Sequence, residues 1–220
     1  MKITALLPMK GFSERVPKKN LRLFNGNPLY HLILKSLIKS NRVDNIVINT
    51  DCDHIIEDVK LNFNKNIIIH NRPESICGNY TSMNEIINYD INKIESDLYI
   101  QTHSTNPLLN YTTIDLAIDK FLNINEDFDS LFSVSRLQKR FYDKNVKPFN
   151  HDPKMLTTQH LDPIFEENSC FYIFTKESFN KNNNRIGSNP FMFELNKVES
   201  IDIDDEEDFE IAELIYKSKN

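Results

Sequence analysis

Two stretches at opposite ends of this chain carry opposite charge and could share one ligand. The first, LLPMKGFSERVPKKN from Leu6 to Asn20, gathers Lys10, Arg15, Lys18 and Lys19 around Gly11 and Ser13. Backbone donors near a glycine, a hydroxyl and several cations are the parts needed to hold a triphosphate. A plain solvated basic loop is the competing reading, but a position directly after an apolar strand favours phosphate. Lys19 and Asn20 read as the anchored pair, and Lys18 as the least committed cation. GK[ST] and GxGxxG are both absent, so this is neither a Walker A loop nor a dinucleotide fingerprint. The second stretch, SIDIDDEEDFEIAE, alternates Asp202 and Asp204. On a strand, residues two apart share a face, so both carboxylates could meet one hard cation such as Mg²⁺ or Mn²⁺. The acids that follow, Asp205, Glu206 and Glu207, sit where a helix N-terminus welcomes negative charge.

Two other strand ends are polar. VINTDCD brings Asp51 and Asp53, which serve either as sugar or metal contacts or as a strand-end turn and helix cap; the residues leave both readings open. QTHSTNP places His103 beside Gln101, Ser104, Thr105 and Asn106, a polar head suited to reading a base or a sugar. His31 reads as packing, and His54, His70, His151 and His160 have no metal-ligand spacing. Cys52 reads as a small buried residue, and no Ser/His/Asp or Cys/His nucleophile signature is present.

The elements that must position these groups follow from hydrophobic periodicity. ITALLP, NIVINT, NIIIH, DLYIQTH, SLFSVS and CFYIF read as short strands. PLYHLILKSLIKS, DHIIEDVKLNF, SMNEIINYDINKI and TTIDLAIDKFLN read as helices, the last with Thr112 and Thr113 as cap candidates. VESIDIDDEEDFEIAELIYK reads as a strand and then a helix. Such alternation predicts a parallel sheet with helices on both faces, binding ligands at the carboxyl ends of its strands. The basic loop, TDCD and THSTNP all fall there. From Leu137 to Leu161 the pattern weakens into turn formers, which predicts an excursion, a lid or a dimer arm.

The totals bound the answer. At 220 residues with 40% apolar composition, one domain spanning 1–220 is expected. A net charge of −6 argues against general nucleic-acid binding. Cys52, Cys77 and Cys170 are odd in number and in no CxxC spacing, which predicts reduced thiols in a cytoplasmic protein. No apolar run approaches membrane-spanning length, and MKITALLP is too short for a signal-peptide core.

In this order the pieces resemble the acylneuraminate cytidylyltransferase family, the CMP-sialic acid synthetases and their relatives. Pro8 to Asn20 follows the family frame P-A-R-G-G-S-K-x-x-P-x-K-N, and GNPLYHLILKSL its G-x-P-L segment. VINTDCDHI is similar to its S-T-D-D strand end, and NRPESI, with Arg72, to its R-P segment. THSTNPLL resembles its Q-P-T-S-P-L-R loop. TQHLDPIFEENSCFYIF resembles R-Q-D…E-N-G-x-x-Y, and SIDIDDEEDFEIAE the I-D-I-D…D…A-E ending. The departures are specific: Lys10 for Arg, Glu14 for Lys, His103 for the substrate-reading Gln, Leu109 for a loop Arg, Thr158 for Arg and Ser169 for Gly.

The resemblance implies a Rossmann-like three-layer α/β sandwich of nucleotide-diphospho-sugar transferase type, with a mostly parallel mixed sheet. It implies CMP transfer from CTP to a 2-keto sugar acid, an N-acylneuraminate or related nonulosonic acid, for surface glycan biosynthesis. Lys10, Arg15 and Lys19, with Gly11 and Ser13, would hold the phosphates; Asn20, Arg72, Thr81 and Ser82 the cytidine; Asp202 and Asp204 Mg²⁺. His103, Thr105, Gln159, Tyr172, Phe191 and Phe193 are the sugar-pocket candidates, with Lys139 or Arg140 offered to the sugar carboxylate. Residues 137–160 would form the arm of a homodimer. A 3-deoxy-manno-octulosonate acceptor, a nucleotide-sugar glycosyltransferase and a non-catalytic nucleotide-sugar binder are the alternatives.

Overall fold

The computed structural model describes residues 1–13, 16–63, 66–78, 80–154 and 157–219. β1 (Ile3–Met9) is buried along its whole length, as a central strand flanked on both faces must be. A tight hairpin follows, β2 (Leu23–Phe24) with β3 (Asn27–Pro28), then α1 (Tyr30–Lys39). Its turn is Asn25–Gly26, both at positive φ (45° and 81°), the backbone that two-residue hairpins require. The chain continues through β4 (Asn45–Thr50), α2 (Asp53–Asn62), β5 (Ile67–Asn71), α3 (Met83–Lys93), β6 (Leu98–Thr102) and α4 (Tyr111–Ile124). It ends with β7 (Ser130–Leu137), β8 (Ile164–Phe174), α5 (Lys176–Asn182), β9 (Pro190–Glu194) and α6 (Glu206–Lys219).

The seven-stranded sheet has the order β5-β4-β1-β6-β8-β7-β9. β1 pairs in parallel with β4 on one side and β6 on the other, so the chain reverses its direction of travel across the sheet at β1. That reversal leaves a crevice at the carboxyl ends of β1 and β6, where open α/β sheets take their ligands. Apolar residues of α1, α2 and α4 pack against one face, and those of α3 and α5 against the other. A smaller cluster joins Phe24 and Leu29 to Phe209 and Ala212 of α6, with Ile203 buried at its centre.

Strand–helix alternation alone predicts a parallel sheet, and here the structure differs. β8 runs antiparallel to both β6 and β7, because no crossover helix separates it from β7. The chain instead leaves β7, makes the irregular excursion, and returns alongside. The segment around Asp202 and Asp204 is likewise not a strand: Ile201 to Asp204 has no regular secondary structure and leads into α6. Asn110, not Thr112 or Thr113, caps α4, its side chain accepting from Thr112 N at 3.1 Å. α5, β9 and the β2–β3 hairpin are additions to the elements expected above.

The β7–β8 ladder shifts register between Phe132 and Val134, and on β8 Ser169 adopts a φ of +58°. This is the position at which the resembled family has glycine, which takes that conformation without strain. Ser169→Gly is therefore expected to stabilise the fold by about 1 kcal/mol, read as a raised denaturant midpoint at unchanged slope.

Candidate active site

A cavity of about 490 Å³ opens at the crevice beside the ends of β1 and β6. Lys10, Ser13 and Lys19 line it from the first loop, Arg72 and Thr81 from the segment after β5, and His103 and Thr105 from the loop after β6. Met83 and Ile86 of α3 give it an apolar wall.

The first loop is held against the sheet by side chains that the sequence offers as ligand contacts. Gly11 N–H donates to Asp51 Oδ1 at 2.7 Å, so Asp51 is a tether for the loop. A Cβ at Gly11 would lie 2.8 Å from Cys52 Cβ, a separation that real structures do not tolerate; only glycine lets the loop seat so closely. Asn20 Nδ2 donates to the Lys10 carbonyl at 2.8 Å, and its Oδ1 accepts from Ser104 Oγ at 2.6 Å. Its amide thereby ties the first loop to the loop after β6. Arg72 is buried, with Nε donating to Asn49 Oδ1 at 2.8 Å and one Nη to the carbonyls of Met9 and Asn49 at 3.0 Å each. It fastens together the ends of β1 and β4. Arg15 lies outside the described residues.

Lys19 joins the two halves of the site. Its Nζ donates to the Ile203 carbonyl at 2.6 Å, between the two aspartates. Ile203 N–H in turn donates to the Thr105 carbonyl at 2.9 Å, and burying the Ile203 side chain among Phe24, Leu29 and Phe209 leaves Asp202 and Asp204 flanking it. Alternation thus acts without a strand: one apolar residue is pinned inward and its neighbours are displayed. Burial pushes the Asp202 carboxyl above the ordinary range, although Thr105 hydrogen-bonds to it and Lys19 opposes the shift. Asp202 Oδ1 is buried with no hydrogen-bond partner. A buried oxygen lacking a donor, beside a second carboxylate, is a donor set that would suit a hard cation. Among the described residues no group of three His, Cys, Asp or Glu side chains could hold a metal unaided.

The sugar-pocket candidates separate. Tyr172 faces the α3 side of the sheet, in T-shaped contact with His103 at 6.5 Å between centroids. Phe191 and Phe193 pack with the core on the α1–α4 side, against Phe128 and Phe171, and do not reach the cavity. Gln159 is exposed in a short 3-10 turn on the excursion. Ser82 caps α3 in a reciprocal capping box with Glu85, so its hydroxyl serves the helix. Lys139 and Arg140 are exposed and do not line the cavity.

Arg185, in the loop between α5 and β9, was not legible in the sequence. Its guanidinium stacks 3.7 Å over the Tyr172 ring and donates to Gln101 Oε1 at 2.7 Å. Its backbone loop is strapped down by Asp129, whose carboxylate accepts from Ser188 N and Asn189 N at 2.7 and 3.0 Å. NNNRIGSNP has neither periodicity nor a chemical motif, so nothing local marks this arginine.

Residues 4–220 match the family model described as Cytidylyltransferase. The chain is 27% identical to the pseudaminic acid cytidylyltransferase of Campylobacter jejuni subsp. jejuni, covering 99% of this chain and 97% of that one. It is 28% identical to the N-acylneuraminate cytidylyltransferase of Oncorhynchus mykiss, over 96% of this chain and 49% of the relative. Among solved structures, a CMP:2-keto-3-deoxy-manno-octonic acid synthetase complexed with CTP superposes with a TM-score of 0.70 at 13% identity, each chain fully covered. No helix among the described residues is long and apolar enough to cross a membrane.

Proposed function

Because the chain belongs to the cytidylyltransferase family, we propose that it transfers CMP from CTP to the anomeric hydroxyl of a nonulosonic acid. The observation that carries this is the junction at Lys19, a cavity-lining residue of the phosphate-type loop whose Nζ bonds the carbonyl between the two aspartates. The acceptor would be a 2-keto sugar acid of the N-acylneuraminate or pseudaminic type, in keeping with the relatives that align along this whole chain.

In this reading the anomeric hydroxyl attacks the α-phosphorus in line and pyrophosphate leaves. Such a barrier is lowered chiefly by positioning and by charge. Lys10 and Lys19 hold the phosphate oxygens, with Ser13 as a hydroxyl donor. Arg72, already committed to the backbone, keeps the ends of β1 and β4 rigid beneath the nucleotide. Asp202 and Asp204 would hold Mg²⁺ or Mn²⁺, a cation that would supply charge to neutralise phosphate and to lower the acceptor hydroxyl's pKa. His103, which lines the cavity, faces the acceptor, with the buried Tyr172 ring packed against it.

We also assign the excursion to a homodimer contact. It exposes Tyr142, Val146 and Phe149, at 56%, 78% and 70%, more apolar surface than an arm facing only water would carry.

The test is direct. Purified protein with each nucleoside triphosphate, Mg²⁺ and a panel of 2-keto sugar acids should release pyrophosphate only with CTP and a nonulosonic acid. Release with 3-deoxy-manno-octulosonate instead would transfer the acceptor assignment, and silence across the panel would defeat the proposal.

A further inference from the structure

The position taken by His103 raises a problem of charge. Where the resembled family has a neutral amide reading the acceptor, this chain has a group that ordinarily titrates near pH 6.5. The surrounding residues answer it. One Nη of Arg185 donates to Gln101 Oε1 at 2.7 Å and stands 3.4 Å from His103 Nε2. Gln101 cannot turn away, because its Nε2 is spent on the Thr102 carbonyl at 2.9 Å. A guanidinium N–H facing an imidazole nitrogen requires a lone pair there, since Arg has no acceptor to offer.

We infer that Arg185 is a positioning residue for the acceptor half of the site: it holds His103 as a neutral imidazole with Nε2 accepting, so that Nδ1–H is the donor left for the sugar acid. The inference rests on the cytidylyltransferase reading for its substrate, though not for its geometry. Arg185 is itself fixed on three sides, by stacking on Tyr172, by the bond to Gln101 and by an ion pair with Glu167 at 3.9 Å. The Tyr172 hydroxyl donates to that same Glu167, closing a ring of contacts around the guanidinium. The charged and titratable groups facing His103 are Arg185 from the α5–β9 loop, Lys19 from the first loop and Tyr172 from β8. Burial and then the two cations push its pKa down to about 3, in accord with a ring that stays uncharged. The arrangement gives histidine the neutrality of an amide while presenting a donor at a defined ring atom.

The test uses the whole protein. Ring-nitrogen NMR, with His103 assigned by the loss of its signals in His103→Gln, should show the neutral Nδ1–H tautomer from about pH 8 to about pH 5. Arg185→Gln removes a like charge worth about one to three pKa units. The His103 titration should rise accordingly, and an acid limb should appear in kcat/KM for the acceptor at saturating CTP. Arg185→Lys, which keeps the charge, should keep the ring neutral. A wild-type proton on Nε2, or an Arg185→Gln titration and pH profile parallel to wild type, would overturn the inference. The wild-type tautomer is decisive even if a variant does not fold, and it needs no turnover, so failure of the proposed reaction would register separately as silence in the pyrophosphate assay.

Discussion

Asp202→Asn is expected to lower turnover about a thousandfold while making the fold more stable. Both effects come from one carboxylate. Burial raises the pKa of Asp202, so at neutral pH its ionised form destabilises the folded chain. One of its oxygens is buried without a partner, a deficit that costs about 1–3 kcal/mol. The sign follows from linkage. A carboxyl whose folded pKa lies above its unfolded value makes the protein gain stability as pH falls through that window, and lose it as pH rises. An amide escapes the penalty: its oxygen still accepts from Thr105, and its nitrogen can donate where carboxylates crowd. The melting temperature of Asp202→Asn should therefore exceed that of wild type at pH 7, with the gap closing as pH falls toward 4. Turnover, measured as pyrophosphate release, should collapse because the amide no longer supplies charge for a cation. Loss of both stability and turnover would make Asp202 structural, and near-wild-type turnover would remove it from the site. Asp204, half-buried and with its N–H bonded to Asp208, should share the loss of turnover in Asp204→Asn without the gain in stability.

Much of this site was readable from sequence because its parts are local. A cluster of cations after an apolar strand, and carboxylates spaced by two, need no tertiary information to be noticed. The sheet predicts where they meet, since strand ends on one edge share a crevice. What the sequence hid was the division of labour. Asn20, Arg72, Ser82 and Asp51 all look like ligand contacts, and all four spend side-chain atoms on the protein itself. Polar groups at a strand end must satisfy the backbone there before they can serve a substrate, and pattern reading does not separate the two uses.

The remaining misreadings have physical causes as well. Phe191 and Phe193 are two apart on β9, so they share a face. Which face was undetermined until β9 paired with β7, and the pairing turned both rings toward α4. The aspartates were assigned a strand because alternation is the mark of one. A single buried residue, Ile203, sets the two carboxylates on either side of it in irregular coil. Arg185 meets His103 across 82 residues of chain, through a β6–β8 register that aligns Gln101 with Tyr172. No local feature of NNNRIGSNP encodes that register.

Lys19→Met should lower kcat/KM by about a thousandfold, as far as losing an oxyanion donor does elsewhere, and by more than Lys10→Met. Both lysines line the cavity, but they differ in what they touch. Lys10 is exposed, so its charge is screened by water and salt. Lys19 reaches the carbonyl between the aspartates and pulls the Asp202 pKa down against its burial. Methionine keeps the length and apolar stem but removes the ammonium, so the segment loses its tie and Asp202 its counter-charge. Two consequences follow. The defect should appear in kcat rather than in KM for CTP, because a cation beside the aspartates that would also meet the phosphates would stabilise charge that grows in the transition state. Asp202 should also become harder to ionise, so the rise in activity expected to accompany its ionisation should move to higher pH. Lys19→Arg restores charge with a planar fork that cannot copy a single short bond to a carbonyl, and should recover only part of the loss. A Lys19→Met enzyme with wild-type kcat and raised KM would reduce Lys19 to a ground-state phosphate contact. The junction would then be a structural clasp, and catalysis would rest on the remaining cations of the first loop.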